Sequence, residues 1–130
     1  MSRPRVRIEH LSPEALTALA AGDLAAATEL TGLPLTPYVV TEDRIGVWQR
    51  RAVQVVEAPE DQPWVTGVLV DEDSAQVVGA AGFHARPDET GMVEVGYGID
   101  PAHRRRGYAR AALLLMIERA ADDYPPDWPA

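Results

Sequence analysis

The spacing of hydrophobic and polar positions changes along the chain and predicts its elements in order. Polar and apolar residues alternate over residues 3–10, which predicts a first strand. Helix-capping residues at Ser12 and Asp23, with glycines closing each segment, predict two short helices that end near residues 22 and 32. Apolar residues at helical spacing predict a longer helix over residues 42–56, capped by Thr41.

The second half of the chain is predicted to be strands followed by one helix. Residues 64–71 and 76–84 are apolar runs joined by a polar turn, which indicates a hairpin. A further strand is predicted over residues 92–99 and a helix over residues 107–122. This order predicts an α/β (α+β) fold with a mixed, mainly antiparallel sheet flanked by helices. No repeat or long linker divides residues 1–130, so we expect a single domain.

The strand predicted over residues 92–99 has two unlike faces. Alternation places bulky side chains on one face, at Val93, Val95, Tyr97 and Ile99. The other face carries Met92, Glu94, Gly96 and Gly98. Glycine weakens a strand unless something must approach the backbone closely. Either a ligand or a packed helix fits that description, and strand statistics favour the helix.

Three consecutive arginines, Arg104, Arg105 and Arg106, precede the last helix, and Gly107, Tyr108 and Ala109 follow them. A helix start offers unpaired N–H groups and a positive dipole end, and small residues let phosphate oxygens reach them. Guanidinium groups pair with phosphate charge. In its strand–loop–helix context the segment therefore predicts an anion site for a pyrophosphate. The alternative is a solvated run of charge.

Composition removes several kinds of chemistry. The chain contains no Cys and no Lys, which excludes thiolate nucleophiles, Cys-bound zinc and Schiff-base lysines. The three His show no ligand spacing, so no metal site is expected. The net charge of −8 disfavours nucleic-acid binding. Neither a membrane span nor the apolar core of a signal peptide is visible, and we expect a soluble cytoplasmic protein.

Two segments together resemble a known family. Residues 93–101 (VEVGYGIDP) and the following R-x-x-G-x-A of residues 104–109 are similar to the acetyl-CoA-binding motif of the GCN5-related N-acetyltransferases (GNAT). The segment RPDETGM of residues 86–92 and the opening strand and short helices resemble the ribosomal-protein-acetylating branch. The resemblance covers most of the chain and is weakest in the middle.

The resemblance implies a role for each part of the motif. The backbone of Tyr97, Gly98 and Ile99 would hydrogen-bond the pantetheine arm of acetyl-CoA, the co-substrate. The backbone from Arg104 through Ala109 would hold its pyrophosphate, and the arginine side chains are expected at the 3′-phosphate.

Two further residues are placed near the reaction. Glu94 is the candidate catalytic base or amine-orienting group, with a solvated or salt-bridged Glu as the alternative. His84 is expected on the neighbouring strand, lining the same cavity, or as a structural residue. Tyr108 is expected to pack or to contact CoA.

The family usually adds a strand, a helix and a closing hairpin after this helix. Nothing after Ala121 supplies them, so the chain resembles a C-terminally shortened member. The helix over residues 107–122 is apolar on several sides, and the strand over residues 92–99 is expected to be an open edge. We therefore expect a homodimer; the alternative is that Trp128 folds back over the helix.

Three functions follow from these observations. The first is an acetyl-CoA-dependent N-acetyltransferase acting on a primary amine of unknown identity. The second is a shortened, non-catalytic relative that binds CoA or only dimerises. The third is a plain phosphate- or nucleotide-binding module.

Overall fold

The computed structural model describes residues 3–90 and 92–122. A four-stranded antiparallel sheet has the order β1-β2-β3-β4, with strands at Val6–Glu9, Gly67–Asp71, Val77–Phe83 and Val95–Ile99. The helices are α1 (Pro13–Ala20), α2 (Leu24–Thr31), α3 (Glu42–Glu57) and α4 (Tyr108–Asp122). The predicted elements and their order are confirmed. Each strand is shorter than the segment predicted for it, because the ends of the segment leave the hydrogen-bonded ladder.

The helix boundaries follow from the predicted capping chemistry, with one exception. Ser12 Oγ accepts a hydrogen bond from Ala15 N at 3.1 Å, and Asp23 Oδ1 accepts one from Ala26 N at 3.0 Å. Thr41 precedes α3 as predicted, but its hydroxyl does not cap the helix. It donates instead to the carbonyl of Tyr38, in the short 3-10 turn that leads into α3, at 3.0 Å.

The sheet separates two apolar cores. α1, α2 and α3 cover one face, with Leu16, Leu19 and Trp48 fully buried against the sheet. α4 covers the other face through Ala112 and Met116. Because β2 and β3 are covered on both faces, every residue in them is buried, which explains their continuous apolar sequence.

The strands β1 and β4 are the edges of this sheet in the described part of the chain. The prediction of an open edge at β4 is therefore confirmed for those residues. The predicted fold-back of Trp128 concerns residues outside the described ranges. None of the described helices is both long and apolar enough to cross a bilayer.

Candidate functional site

The open edge of β4 presents backbone groups to its surroundings at alternate residues. Asp100 N donates to Val78 O at 2.8 Å, and Glu94 O accepts from His84 N at 2.8 Å, so the even-numbered residues bond toward β3. By alternation, the N–H and C=O groups of Tyr97 and Ile99 point away from the sheet. Of the three backbone positions predicted to bind pantetheine, these two face the open edge and Gly98 faces β3.

The bulky face of β4 packs on α4 for most of its length. Val93, Val95 and Ile99 contact the apolar cluster around Met116. The interpretation of a wholly core-like face is wrong at Tyr97, whose residue surface is 47% exposed. An edge strand has a neighbouring strand on one side only, so part of this large ring remains in solvent.

The glycine face of β4 is approached by side chains rather than by helix backbone. A Cβ atom built on Gly98 would lie 2.5 Å from the Tyr38 hydroxyl and 3.5 Å from a guanidinium nitrogen of Arg44. A Cβ on Gly96 would lie 3.1 Å from Nε2 of His84. The expectation of a packed helix is thus correct in that α3 supplies Arg44, but the close contact at Gly98 is a tyrosine hydroxyl.

The loop from β4 to α4 has a conformation that exposes its amides. Asp100 ends β4 and accepts a hydrogen bond from Ala102 N at 3.0 Å, which starts one 3-10 turn over Pro101–His103. The backbone then turns through positive φ at Arg105 (66°) and at Gly107 (85°). Glycine suits the second position because side chains disfavour that region.

Six successive amides at this helix start have no acceptor within residues 3–90 and 92–122. The first backbone hydrogen bond of α4 is donated by Ala111 N to Gly107 O at 3.0 Å. Residues 105–110 supply the unpaired N–H groups, at the positive end of the helix dipole. Arg104, Arg105 and Arg106 are exposed beside them. This arrangement fits a diphosphate, whose oxygens accept several amide hydrogen bonds while guanidinium groups neutralise the charge.

Tyr108 points away from this loop, into the core. Its hydroxyl donates to Asp71 Oδ2 at 2.6 Å, while Asp71 Oδ1 accepts from the amides of Asp73 and Ser74. The hydrogen bond from Tyr108 lowers the pKa of Asp71, and the same bond raises the pKa of Tyr108. Tyr108 thus packs in the core, which is one of the two roles expected for it. Its hydrogen bond to Asp71 fixes the first turn of α4 to the β2–β3 turn.

Glu94 and His84 are brought together, as the sequence suggested for their strands. Nδ1 of His84 lies 3.1 Å from Oε2 of Glu94, and Glu94 is 82% exposed in its side chain. In the described part of the chain, the ring's other nitrogen, Nε2, has no hydrogen-bond partner and lies over Gly96. The pair can hold the imidazole in one orientation with a free nitrogen toward the glycine face.

Sequence reasoning missed the side chains that α3 and the turn before it bring to this site. Arg44 and Arg51 are seven residues apart, a spacing that places both on one side of a helix. Arg51 donates to Gln54 Oε1 at 2.7 Å and to the carbonyl of His84 at 3.4 Å. The seven-residue spacing of these two arginines is the signal in the sequence that indicates their shared side of α3.

Comparison with known sequences identifies a family. The model described as "Acetyltransferase (GNAT) domain" matches residues 5–128. The uncharacterized N-acetyltransferase YjdG of Bacillus subtilis (strain 168) is 40% identical over 53 residues, which cover 41% of this chain and 32% of that protein.

Solved structures share the fold at low identity. The microcin C7 self-immunity acetyltransferase MccE, in complex with acetyl-CoA and AMP, aligns with a TM-score of 0.53 at 10% identity over 91% of this chain and 63% of its own. The ribosomal L7/L12 α-N-protein acetyltransferase RimL aligns with a TM-score of 0.53 at 12% identity, over 91% of this chain and 61% of its own. The ribosomal-protein-S5-alanine acetyltransferase of Vibrio fischeri aligns with a TM-score of 0.50 at 16% identity, over 91% of this chain and 64% of its own. This chain spans less than two thirds of the length of each of these relatives.

Proposed function

Since the chain belongs to the acetyltransferase (GNAT) domain family, we propose that it transfers an acetyl group from acetyl-CoA to the nitrogen of a primary amine. The observation that carries this proposal is the run of amides at residues 105–110, which have no acceptor among the described residues and lie beside three exposed arginines. Acetyl-CoA supplies the activated thioester when it is bound.

The residues that would hold acetyl-CoA lie along one continuous path. The amides of Arg105, Arg106 and Gly107, with those of Tyr108 and Ala109, would bind the diphosphate, and the side chain of Arg104 the charge beside it. The outward N–H and C=O groups of Tyr97 and the outward N–H of Ile99 would pair with the pantetheine amides as an added strand does. The carbonyl of Ile99 accepts a hydrogen bond from Nε of Arg104 at 3.3 Å. Gly98 between them would provide space rather than a hydrogen bond.

Glu94 and His84 would handle the amine proton. The carboxylate of Glu94 orients the imidazole through Nδ1, so Nε2 of His84 faces the amine over Gly96. As the nitrogen bonds to the acetyl carbon and the carbon–sulfur bond breaks, Nε2 takes the proton from nitrogen. That proton leaves with the thiol of CoA, so atoms and charge balance.

Two measurements test the proposal separately. Calorimetry with acetyl-CoA, with inorganic pyrophosphate as the comparison ligand, is expected to give tighter binding of acetyl-CoA; equal affinities would instead indicate a plain phosphate-binding module. A thiol-release assay over a panel of primary amines is expected to show turnover. Binding of acetyl-CoA without thiol release from any amine would identify a non-catalytic relative.

The roles of Glu94 and His84 have their own test. Replacement of His84 by Ala is expected to lower kcat by about 100-fold or more, which is typical of a lost general base. Glu94→Gln should give a smaller loss of kcat, because the imidazole remains but is no longer held through Nδ1. Glu89→Gln, an exposed carboxylate in the preceding turn, is the matched control. An unchanged kcat in both His84→Ala and Glu94→Gln would contradict the assignment.

Two further expectations complete the proposal. A homodimer would cover Ile117, which is 54% exposed on α4, and would leave the open edge of β4 to the pantetheine arm. Light scattering that finds only monomers at micromolar concentration would contradict the proposed homodimer. The cytoplasm is the proposed location, where acetyl-CoA is available.

A further inference from the structure

The side of β4 that carries the two glycines faces an arginine that forms no ion pair with the described residues. The guanidinium of Arg44 lies over Gly98 and, in the part of the chain that the structure describes, pairs with no acidic side chain. The hydroxyl of Tyr38, over the same glycine, likewise has no hydrogen-bond partner there. Two donors therefore converge at Gly98 with no acceptor for them among the described residues.

Arg51 extends this set toward the proposed proton acceptor. Its Nε atom is buried and has no partner among the described residues. Burial lowers the pKa of Arg51, as does the charge of Arg50 next to it. A buried donor that lacks an acceptor costs free energy, so Nε of Arg51 is a position where an added acceptor would be stabilising.

The acidic groups near this face already have donors of their own. Asp100 accepts hydrogen bonds from Thr36 at 3.1 Å and from Ala102 N, and Glu94 is held by His84. Asp61 accepts from Gln54 and from Arg86 at 3.0 Å and 2.9 Å. Arg44 therefore has no ion-pair partner among the described residues, and Arg51 has only the nearby charge of Asp61 opposite it, although the chain as a whole is acidic.

We propose that Arg44 and Arg51, with the Tyr38 hydroxyl, form an anion subsite for the acceptor, so that the acceptor is a small amine carrying a carboxylate or a phosphate. This inference rests on the proposed acetyl transfer and specifies its acceptor. Arg44 lies at Gly98 and Nε2 of His84 at Gly96, two residues or about 7 Å apart along the strand. A short amino acid or aminoalkyl phosphate spans that distance once hydrogen bonds at both ends are included. A polyamine leaves the arginines unmatched.

A binding experiment tests the subsite without any turnover. Inorganic phosphate and acetate are titrated separately while the side-chain Nε–Hε NMR signals of the arginines are followed. Signals of Arg44 and Arg51 are expected to shift in a saturable manner, distinct from those of the loop arginines, and the shift at Arg51 is expected to weaken in Arg44→Gln. Shifts confined to Arg104, Arg105 and Arg106 would overturn the subsite and leave the proposed acetyl transfer intact.

A kinetic experiment then tests whether an anionic group on the amine acceptor raises kcat/KM, using matched pairs of amines. An amino acid is compared with its carboxamide, and 2-aminoethyl phosphate with 2-aminoethanol, which separates a carboxylate from a phosphate preference. We expect the anionic member of at least one pair to have about tenfold higher kcat/KM, as one charge-assisted contact allows, and Arg44→Gln to abolish that difference.

Arg50→Gln, on the exposed side of α3, is the matched control and should preserve the preference. Equal kcat/KM for both members of both pairs, or an equal loss for both in Arg44→Gln, would overturn the inference. If no amine is acetylated while the Arg44 and Arg51 signals still shift with phosphate or acetate, the proposed transfer fails and the anion subsite stands.

Discussion

Two loops of this molecule each contain a non-glycine residue with positive φ, but they differ in whether their backbone amides are hydrogen-bonded. Within residues 3–90 and 92–122, the non-glycine residues with positive φ are Ala75, in the β2–β3 turn, and Arg105, in the β4–α4 loop. In the first loop, each amide of residues 72–76 donates to an acceptor in the chain, three of them to Asp71. In the second loop, the amides of residues 105–110 donate to none of the described groups.

The difference separates a turn built for stability from a loop available for binding. Positive φ costs free energy in both loops, but only the β2–β3 turn recovers it through internal hydrogen bonds. In the β4–α4 loop, the amides of residues 105–110 have no acceptor among the described residues, and Arg104, Arg105 and Arg106 are exposed. Asp71 joins the two, because one carboxylate oxygen holds the turn and the other holds Tyr108 at the start of α4.

The largest expected effect is on the residue that the two loops share. Asp71→Ala removes the acceptor of two amides and of the Tyr108 hydroxyl, and we expect it to lower the free energy of unfolding by about 3 kcal/mol. Asp73→Ala, which removes only an exposed ion pair with Arg5, should cost less than about 1 kcal/mol. Urea denaturation measures both, and equal losses would contradict the special position of Asp71.

The next effect concerns ligand binding by the second loop alone. Gly107→Val places a side chain at φ 85°, against Pro4 at 3.3 Å, and is expected to abolish stabilisation by acetyl-CoA. For the unmodified protein this stabilisation is about 2.7 kcal/mol at 100 times Kd. Gly32→Ala, also at positive φ but in open space at the end of α2, should lower the melting temperature and retain the acetyl-CoA response. A retained response in Gly107→Val would place the ligand elsewhere.

A pH titration sharpens the role of the shared carboxylate. The hydrogen bond from Tyr108 holds the pKa of Asp71 below its usual value. The resulting stability is present above the unfolded-state pKa and is lost as the pH falls through the folded-state pKa. Thermal unfolding between pH 6 and pH 2 should therefore show a smaller acid-induced loss for Tyr108→Phe than for the unmodified protein. Parallel curves would indicate that this bond does not set the titration.

The smallest effect compares the two irregular residues directly. Ala75→Gly relieves positive φ and is expected to raise the free energy of unfolding by about 0.5 kcal/mol, with no effect on acetyl-CoA binding. Arg105→Gly should give a similar gain in stability but weaken acetyl-CoA binding, because a guanidinium is lost. Chemical denaturation with and without acetyl-CoA checks both. If Arg105→Gly binds acetyl-CoA unchanged, the arginine run is only a solvated charge run.

Local chemistry made much of this fold predictable. Ser12 and Asp23 cap helices in the expected way, and the long apolar runs of β2 and β3 reflect burial on both faces. Strand ends were overestimated, since an apolar residue such as Val65 is buried without joining the ladder of β2. Val56 fits the apolar spacing of α3 but is exposed, because the helix turns that position away from the sheet.

The site was predictable where it follows one stretch of sequence. The loop before α4 and the outward positions of β4 lie within residues 94–109, and their strand–loop–helix order was visible in the sequence. The approach of Tyr38 and Arg44 to Gly98 could not be predicted. Each of the two lies more than fifty positions before Gly98 and meets it only through the packing of α3 and its preceding turn against the sheet. Gly98 signalled that something would approach, without indicating what.

The central claim is that the amides at the start of α4 bind the diphosphate of acetyl-CoA. A titration of ¹⁵N-labelled protein with acetyl-CoA, followed through backbone amide signals, tests it most directly. The account predicts large, saturable shifts at residues 105–110 and small ones at residues 72–76. Large shifts elsewhere, with the signals of residues 105–110 unmoved at saturation, would contradict it.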